Sequence, residues 1–193
     1  MRRTQVMIWL HLVVFFMFPL TSESFNEVGL QASRTPYDSK YHKVETYVDS
    51  LRNVSAGCCS PSFSTQQSRI QRYLQIARQF TFQPERVLGS GKQEDLWQLP
   101  EETERLGSGD CEDLAIWLYC NLLNEGFTNI RFTLGFAGRE NKSMHAWVTW
   151  YERGKTYIID PSRSGGIYGA TQPGPVSYEP QFSYYFDKRW HHH

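Results

Sequence analysis

The chain has 193 residues, enough for one domain with a real core and too few for two ordinary ones. Lysine plus arginine and aspartate plus glutamate each number 20, and the mature part has no basic run, which excludes a nucleic-acid partner or a polybasic membrane patch as the organising principle. Aromatic residues make up 15%, a packed globular composition and not a disordered one.

The N-terminus carries an export signature. Met1-Arg2-Arg3 is a basic start, Val6 to Leu20 is an apolar run, and Ser22 and Ser24 are small residues suited to cleavage before Phe25. Residues 1–24 are therefore expected as a signal peptide, leaving no stable membrane span after cleavage and a periplasmic or secreted destination. An oxidising compartment admits disulfides. Cys111 and Cys120 are roughly 13 Å apart along one expected helix, at 1.5 Å of rise per residue, and cannot bridge. One of the adjacent Cys58 and Cys59 is within reach of Cys120, and Cys111 is expected as the free thiol.

Residues 25–40 read as an extended polar leader, and Val44, Tyr47, Val48 and Leu51 mark a short amphipathic helix; together with the cysteine-bearing loop they form an N-terminal segment, 25–61. A stronger helix is expected from Ser64, with Gln67 completing a capping box and Ile70, Tyr73, Leu74, Ala77 and Phe80 as its apolar stripe. Phe82 to Gln98 is irregular. Pro100 opens a short acidic helical turn to Leu106, where proline is tolerated.

Gly107-Ser108-Gly109 then leads into Asp110 and Cys111. Leu114, Ala115, Leu118 and Leu122 recur at helical spacing, Asp110 suits the N-cap with Asp113 closing a carboxylate capping box, and Glu125-Gly126 ends the helix. Cys111 thus falls in a first turn, where unpaired N–H groups and the helix dipole favour a thiolate. Cys120, on the same helix, reads as a core cysteine.

Ile130 to Phe136 alternates as a strand, Gly138 to Ser143 is a polar loop, and His145 to Tyr151 is a second strand. Glu152 to Lys155 is a hairpin turn, with Thr156 to Asp160 returning. A two-residue Arg153-Gly154 turn pairs Glu152 with Lys155 and, followed back, sets Trp147 opposite Asp160 with His145 one diagonal step away on the same face. The last thirty or so residues are rich in glycine, proline and tyrosine, with strand character around Phe182 to Phe186.

A nucleophilic thiol needs a base and a group that orients the base. Outside the signal segment and the terminal His191 to His193, the histidines are His42, on an early helix where a solvated role is the default, and His145. Cys111, His145 and Asp160 are therefore the candidate catalytic residues.

Gly109-Asp110-Cys111-Glu112-Asp113-Leu114-Ala115, Met144-His145-Ala146-Trp147-Val148 and Tyr157-Ile158-Ile159-Asp160-Pro161 together resemble the transglutaminase-like superfamily, and within it the exported bacterial transglutaminase-like cysteine peptidases. Leu96 to Glu102 fits that group's approach to the cysteine; the match covers residues 95–162. The resemblance implies an α+β, papain-like fold with the nucleophile's helix packed on an antiparallel sheet, carried by a hydrolase domain over residues 62–193. It implies a protein or peptide substrate and acyl-thioester chemistry: Cys111 attacks an amide carbonyl, His145 moves protons, and Asp160 holds His145. The Cys111 N–H is a natural oxyanion donor, with Trp97 and Gln98 as candidates for a second. No cofactor is required, although some exported members hold calcium through carboxylates at the positions of Asp110 and Glu112; the simpler role of these acids is to complement the helix start. Their charge opposes thiolate formation, so a cationic His145 is needed to offset it. Hydrolysis is the expected outcome, with acyl transfer to amines and a non-catalytic binding domain on the same fold as the alternatives.

Overall fold

Helix α4 (Cys111–Asn124) is buried almost all round. Every residue from Leu114 to Cys120, and Leu122 and Leu123 after them, is shielded from solvent. A helix apolar on all sides belongs inside a fold, and the remaining elements are arranged about this one. The computed structural model describes residues 30–52, 62–84, 96–162, 167–170 and 176–192. The expected signal segment and the Cys58-Cys59 pair lie outside them.

The elements run β1 (Leu30–Ala32), α1 (Asp38–Leu51), α2 (Phe63–Ala77), β2 (Thr81–Phe82), α3 (Pro100–Leu106), β3 (Ser108–Gly109), α4, β4 (Ile130–Gly138), β5 (Ser143–Glu152), β6 (Lys155–Ile159), β7 (Ile167–Gly169), β8 (Ser177–Tyr185) and β9 (Lys188–His191). Seven strands form one antiparallel sheet in the order β1-β9-β8-β4-β5-β6-β7, and β2 and β3 make a separate two-residue parallel pair. One face of the sheet presents Phe132, Leu134, Ala146, Val148, Trp150, Ile159 and Tyr184 to the same core as α4, with Tyr41, Val44 and Val48 of α1 and Ile70, Leu74 and Ala77 of α2. This is the expected α+β arrangement, with the Cys111 helix packed on an antiparallel sheet. No helix among the described residues is long and apolar enough to cross a membrane.

Several local expectations meet the structure directly. The β5–β6 hairpin has the anticipated register, Glu152 with Lys155 through Val148 with Ile159. Arg153 and Gly154 both have positive φ, 53° and 69°, the backbone a two-residue I′ turn requires. Helix α4 ends where Phe127 N–H returns to Leu122 O at 3.0 Å and Gly126 N–H to Leu123 O at 2.9 Å.

Other elements differ. Helix α2 begins two residues earlier than expected, because Ser62, not Ser64, is the N-cap and its hydroxyl accepts from Thr65 N–H at 3.3 Å. The expected leader contains β1, which pairs with β9 at the sheet edge, and α1 starts already at Asp38. Arg189 of β9 clamps α1 through Asp38 at 2.9 Å and Glu45 at 3.2 Å. Cys120 is a free, buried thiol; Cys58 and Cys59, one of which was expected to reach it, lie outside the described residues.

Candidate active site

The site is built where the N-terminus of α4 meets the middle of the sheet. Asp110 precedes the helix in extended conformation, and its N–H donates to Asp113 Oδ2 at 3.2 Å. The other Asp113 oxygen, Oδ1, accepts from Gln98 N–H at 2.8 Å. Asp113, 4% exposed, thus fastens the incoming Trp97-Gln98 segment to the first turn of α4. Gly109 is needed for the same contact: a Cβ there would stand 2.7 Å from Asp113 Cβ.

Cys111 is the first residue of α4, so its own N–H is one of the first-turn donors without an intrahelical acceptor. Its thiol donates to Glu112 Oε2 at 3.0 Å and lies against the backbone N–H of Ala146 in β5. Burial pushes the thiol pKa well up, the charge and hydrogen bond of Glu112 push it further, and Asp110 adds to this, while the Ala146 N–H opposes them. The sequence expectation that the helix start would favour a thiolate is therefore outweighed in the resting state. Two carboxylates and a buried position exceed what a helix dipole of about half a charge offers.

His145 precedes Ala146, which places the imidazole's strand position next to the thiol. His145 Nε2–H donates to Asp160 Oδ2 at 2.8 Å, with His145 7% exposed and Asp160 fully buried. The bond commits Nε2 as the protonated nitrogen of the neutral ring and leaves Nδ1 to accept a proton. Burial alone would raise the Asp160 carboxyl, but hydrogen bonds from His145, Tyr178 and Ser162 and the positive charge of the imidazole hold it below the ordinary carboxylate range. Asp160 lies one residue beyond β6, in the position the hairpin register anticipates. One hairpin joins His145 to Asp160, and the residue after His145 on the same strand, Ala146, meets Cys111 at the helix start.

The sequence reading missed two residues around Asp160. Ser162 gives both its N–H, at 3.0 Å, and its hydroxyl, at 2.8 Å, to Oδ1. Tyr178, on β8, gives its hydroxyl to Oδ2 at 2.7 Å. A Ser two residues after an Asp is a recognisable local turn signal; Tyr178 offered none. Trp147 is fully buried, its ring 5.1 Å from that of Tyr178, and so has a core role and walls no cleft. Of the second oxyanion candidates, Gln98 has its backbone N–H committed to Asp113, which leaves its side-chain amide. The Trp97 ring packs edge-on against Phe132. His42 is on the exposed side of α1, 3.5 Å from Glu45. Among the described residues no group of three or more His, Cys, Asp or Glu is gathered as a metal site.

No family model and no curated protein matches this sequence. Among solved structures the chain is similar to Legionella pneumophila LapG, at 22% identity and a TM-score of 0.55, over 82% of this chain and 81% of that one. The calcium-bound form of LapG gives the same identity, coverage and TM-score. The EGTA-treated form matches over 82% of this chain and 78% of that one, again at 22% identity and 0.55. The fold is the one that LapG has.

Proposed function

We propose that this protein is an exported cysteine peptidase or amidase of the transglutaminase-like kind, using Cys111, His145 and Asp160. The observation that carries the reading is the buried His145–Asp160 hydrogen bond of 2.8 Å on the strand whose next N–H, that of Ala146, touches the Cys111 thiol. A binding role requires none of these three groups.

In the proposed reaction the Cys111 proton passes to His145 Nδ1 as sulfur attacks the amide carbonyl. The resulting oxyanion is met by the Cys111 N–H, with the Gln98 side-chain amide as the second donor. His145 then delivers its proton to the leaving amine, giving a thioester. Water attacks the thioester, losing its proton to His145, and the free acid and the thiol are regenerated. Asp160 keeps the ring in its Nε2–H tautomer and stabilises the imidazolium throughout. Acyl transfer to an amine starts from the same thioester but needs walls that exclude water. The one aromatic beside His145 that was a candidate wall, Trp147, is in the core, so hydrolysis is the favoured outcome.

Calcium is part of the proposal in a limited sense. Asp110 and Glu112 flank Cys111 and supply hard oxygen donors, the chemistry that ion takes, while backbone carbonyls and water would complete six to eight ligands. Bound there, its charge would offset the two acids that raise the thiol. Export rests on the basic and apolar N-terminus and is checked by whether the protein recovered outside the cytoplasm begins at Phe25.

The deciding experiment presents a peptide library and a labelled primary amine to the protein and to Cys111→Ala. Free acid formed by the native chain and not by the variant supports the hydrolase. Labelled amide forming faster than acid would replace it with the transferase, and no Cys111-dependent product would favour a binding domain.

A further inference from the structure

The Asp160 carboxylate has more donors than orienting one imidazole demands. Oδ1 is held locally, by the N–H and hydroxyl of Ser162 at 3.0 and 2.8 Å. Oδ2, the oxygen on which His145 depends, is shared with the Tyr178 hydroxyl at 2.7 Å. Tyr178 comes from β8, which is separated from β6 in the sheet by β4 and β5. Its ring spans that distance over Trp147, 5.1 Å away at 70°, and lies 6.4 Å from the His145 ring. A half-buried tyrosine near the start of a strand satisfies its hydroxyl most simply with water. Here the hydroxyl is turned inward to a fully buried carboxylate.

We propose that Tyr178 is a positioning residue for the His145–Asp160 pair: it pins Oδ2 and holds negative charge there, so that the acceptor for His145 is in place before the imidazole takes a proton. The Ser162 bonds tie Oδ1 only to the turn that follows Asp160. A donor on Oδ2 from another strand ties the carboxylate to the sheet as well, so that its place relative to the strand of His145 does not depend on His145 alone. The donated bond also offsets part of the cost of keeping Asp160 ionised while buried. The role deepens the peptidase reading and rests on it.

Tyr178→Phe keeps the ring against Trp147 and deletes only the donor. A lost hydrogen bond to a charged group corresponds to roughly a tenfold to hundredfold fall in kcat, with KM held. Without that donor the pair binds its proton more tightly, so the acid limb of the kcat profile moves to higher pH. The same limb is read without substrate from the pH dependence of Cys111 alkylation in the native chain and in Y178F. A 3-fluorotyrosine placed at 178, whose more acidic hydroxyl is a stronger donor, moves the limb the other way and covers the case in which Y178F does not fold. An alkylation limb unmoved in Y178F, or moved alike by both replacements, overturns the positioning role, whatever the unfolding temperature. Failure of the peptidase reading appears separately, as hydrolysis that survives Cys111→Ala.

Discussion

The Cys111 thiol donates its proton toward Glu112 Oε2 at 3.0 Å, so the candidate nucleophile is held neutral by the residue beside it. Glu112 is both the acceptor of that proton and a charge that disfavours losing it. This pairing makes reactivity conditional on something that neutralises or displaces the carboxylate, such as the His145 imidazolium that forms when the ring takes a proton.

Alkylation tests the consequence. The native protein is expected to label at Cys111 and not at the buried Cys120, and to label slowly at neutral pH because little thiolate is present. Glu112→Gln removes the charge and lowers the thiol pKa, so labelling at pH 7 should accelerate by roughly tenfold for each pKa unit regained. Peptide mapping with a time course reads both. Equal rates in the two proteins would show that Glu112 does not restrain the thiol.

The orienting role of Asp160 is read from Asp160→Asn beside His145→Ala. His145→Ala should abolish turnover. Asp160→Asn preserves shape but favours the wrong tautomer, and kcat should fall by roughly a thousandfold or more with circular dichroism unchanged. Full activity in Asp160→Asn would mean that another group orients the imidazole.

Acid stability follows from the same carboxylate. The folded-state pKa of Asp160 is depressed, so its contribution to stability is present above the unfolded value near 3.9 and is lost as pH falls through the lower folded value. Urea unfolding between about pH 5 and pH 2 should therefore lose stability more steeply in the native chain than in Asp160→Asn. Parallel slopes would show that Asp160 binds its proton equally in both states.

Calcium binding is expected to lower the thiol pKa and to quicken Cys111 alkylation, with a calorimetric signal that disappears in an Asp110→Asn, Glu112→Gln double variant. Exhaustive chelation that leaves alkylation, activity and unfolding temperature unchanged would reduce both acids to helix-start residues.

Gly135 is a fold prediction. A Cβ there would collide with the Glu179 carbonyl and stand 2.8 Å from the Trp147 ring, at the point where β4 and β8 shift register opposite Pro180. Gly135→Ala should cost at least the roughly 1–3 kcal/mol of overpacking, measured by chemical denaturation. Tyr178 lies two residues from Pro180 on the same strand, so the variant should also disturb the Tyr178–Asp160 bond.

What the sequence alone determined is what neighbouring residues settle among themselves. The start of α4 follows from Asp110 and Asp113, three apart, and the β5–β6 register follows from Arg153 and Gly154, because a two-residue turn leaves only one pairing. From these two local facts Cys111, His145 and Asp160 could be named as one group. The C-terminal hairpin was harder to read, since Phe186 takes φ 52° at its turn without a glycine to announce it. The strand character of 30–32 was invisible for a different reason: three residues pair only because β9 presents an edge. The opposing charge of Asp110 and Glu112 was legible beside Cys111, but tertiary structure alone decided that burial is the largest cause of the raised thiol and that the N–H of Ala146, thirty-odd residues away, works against it. It alone decided that Tyr178 reaches Asp160, across two intervening strands. Hydrogen bonds within a turn are encoded where they form, whereas an oxygen shared between distant strands exists only once the sheet has brought them together.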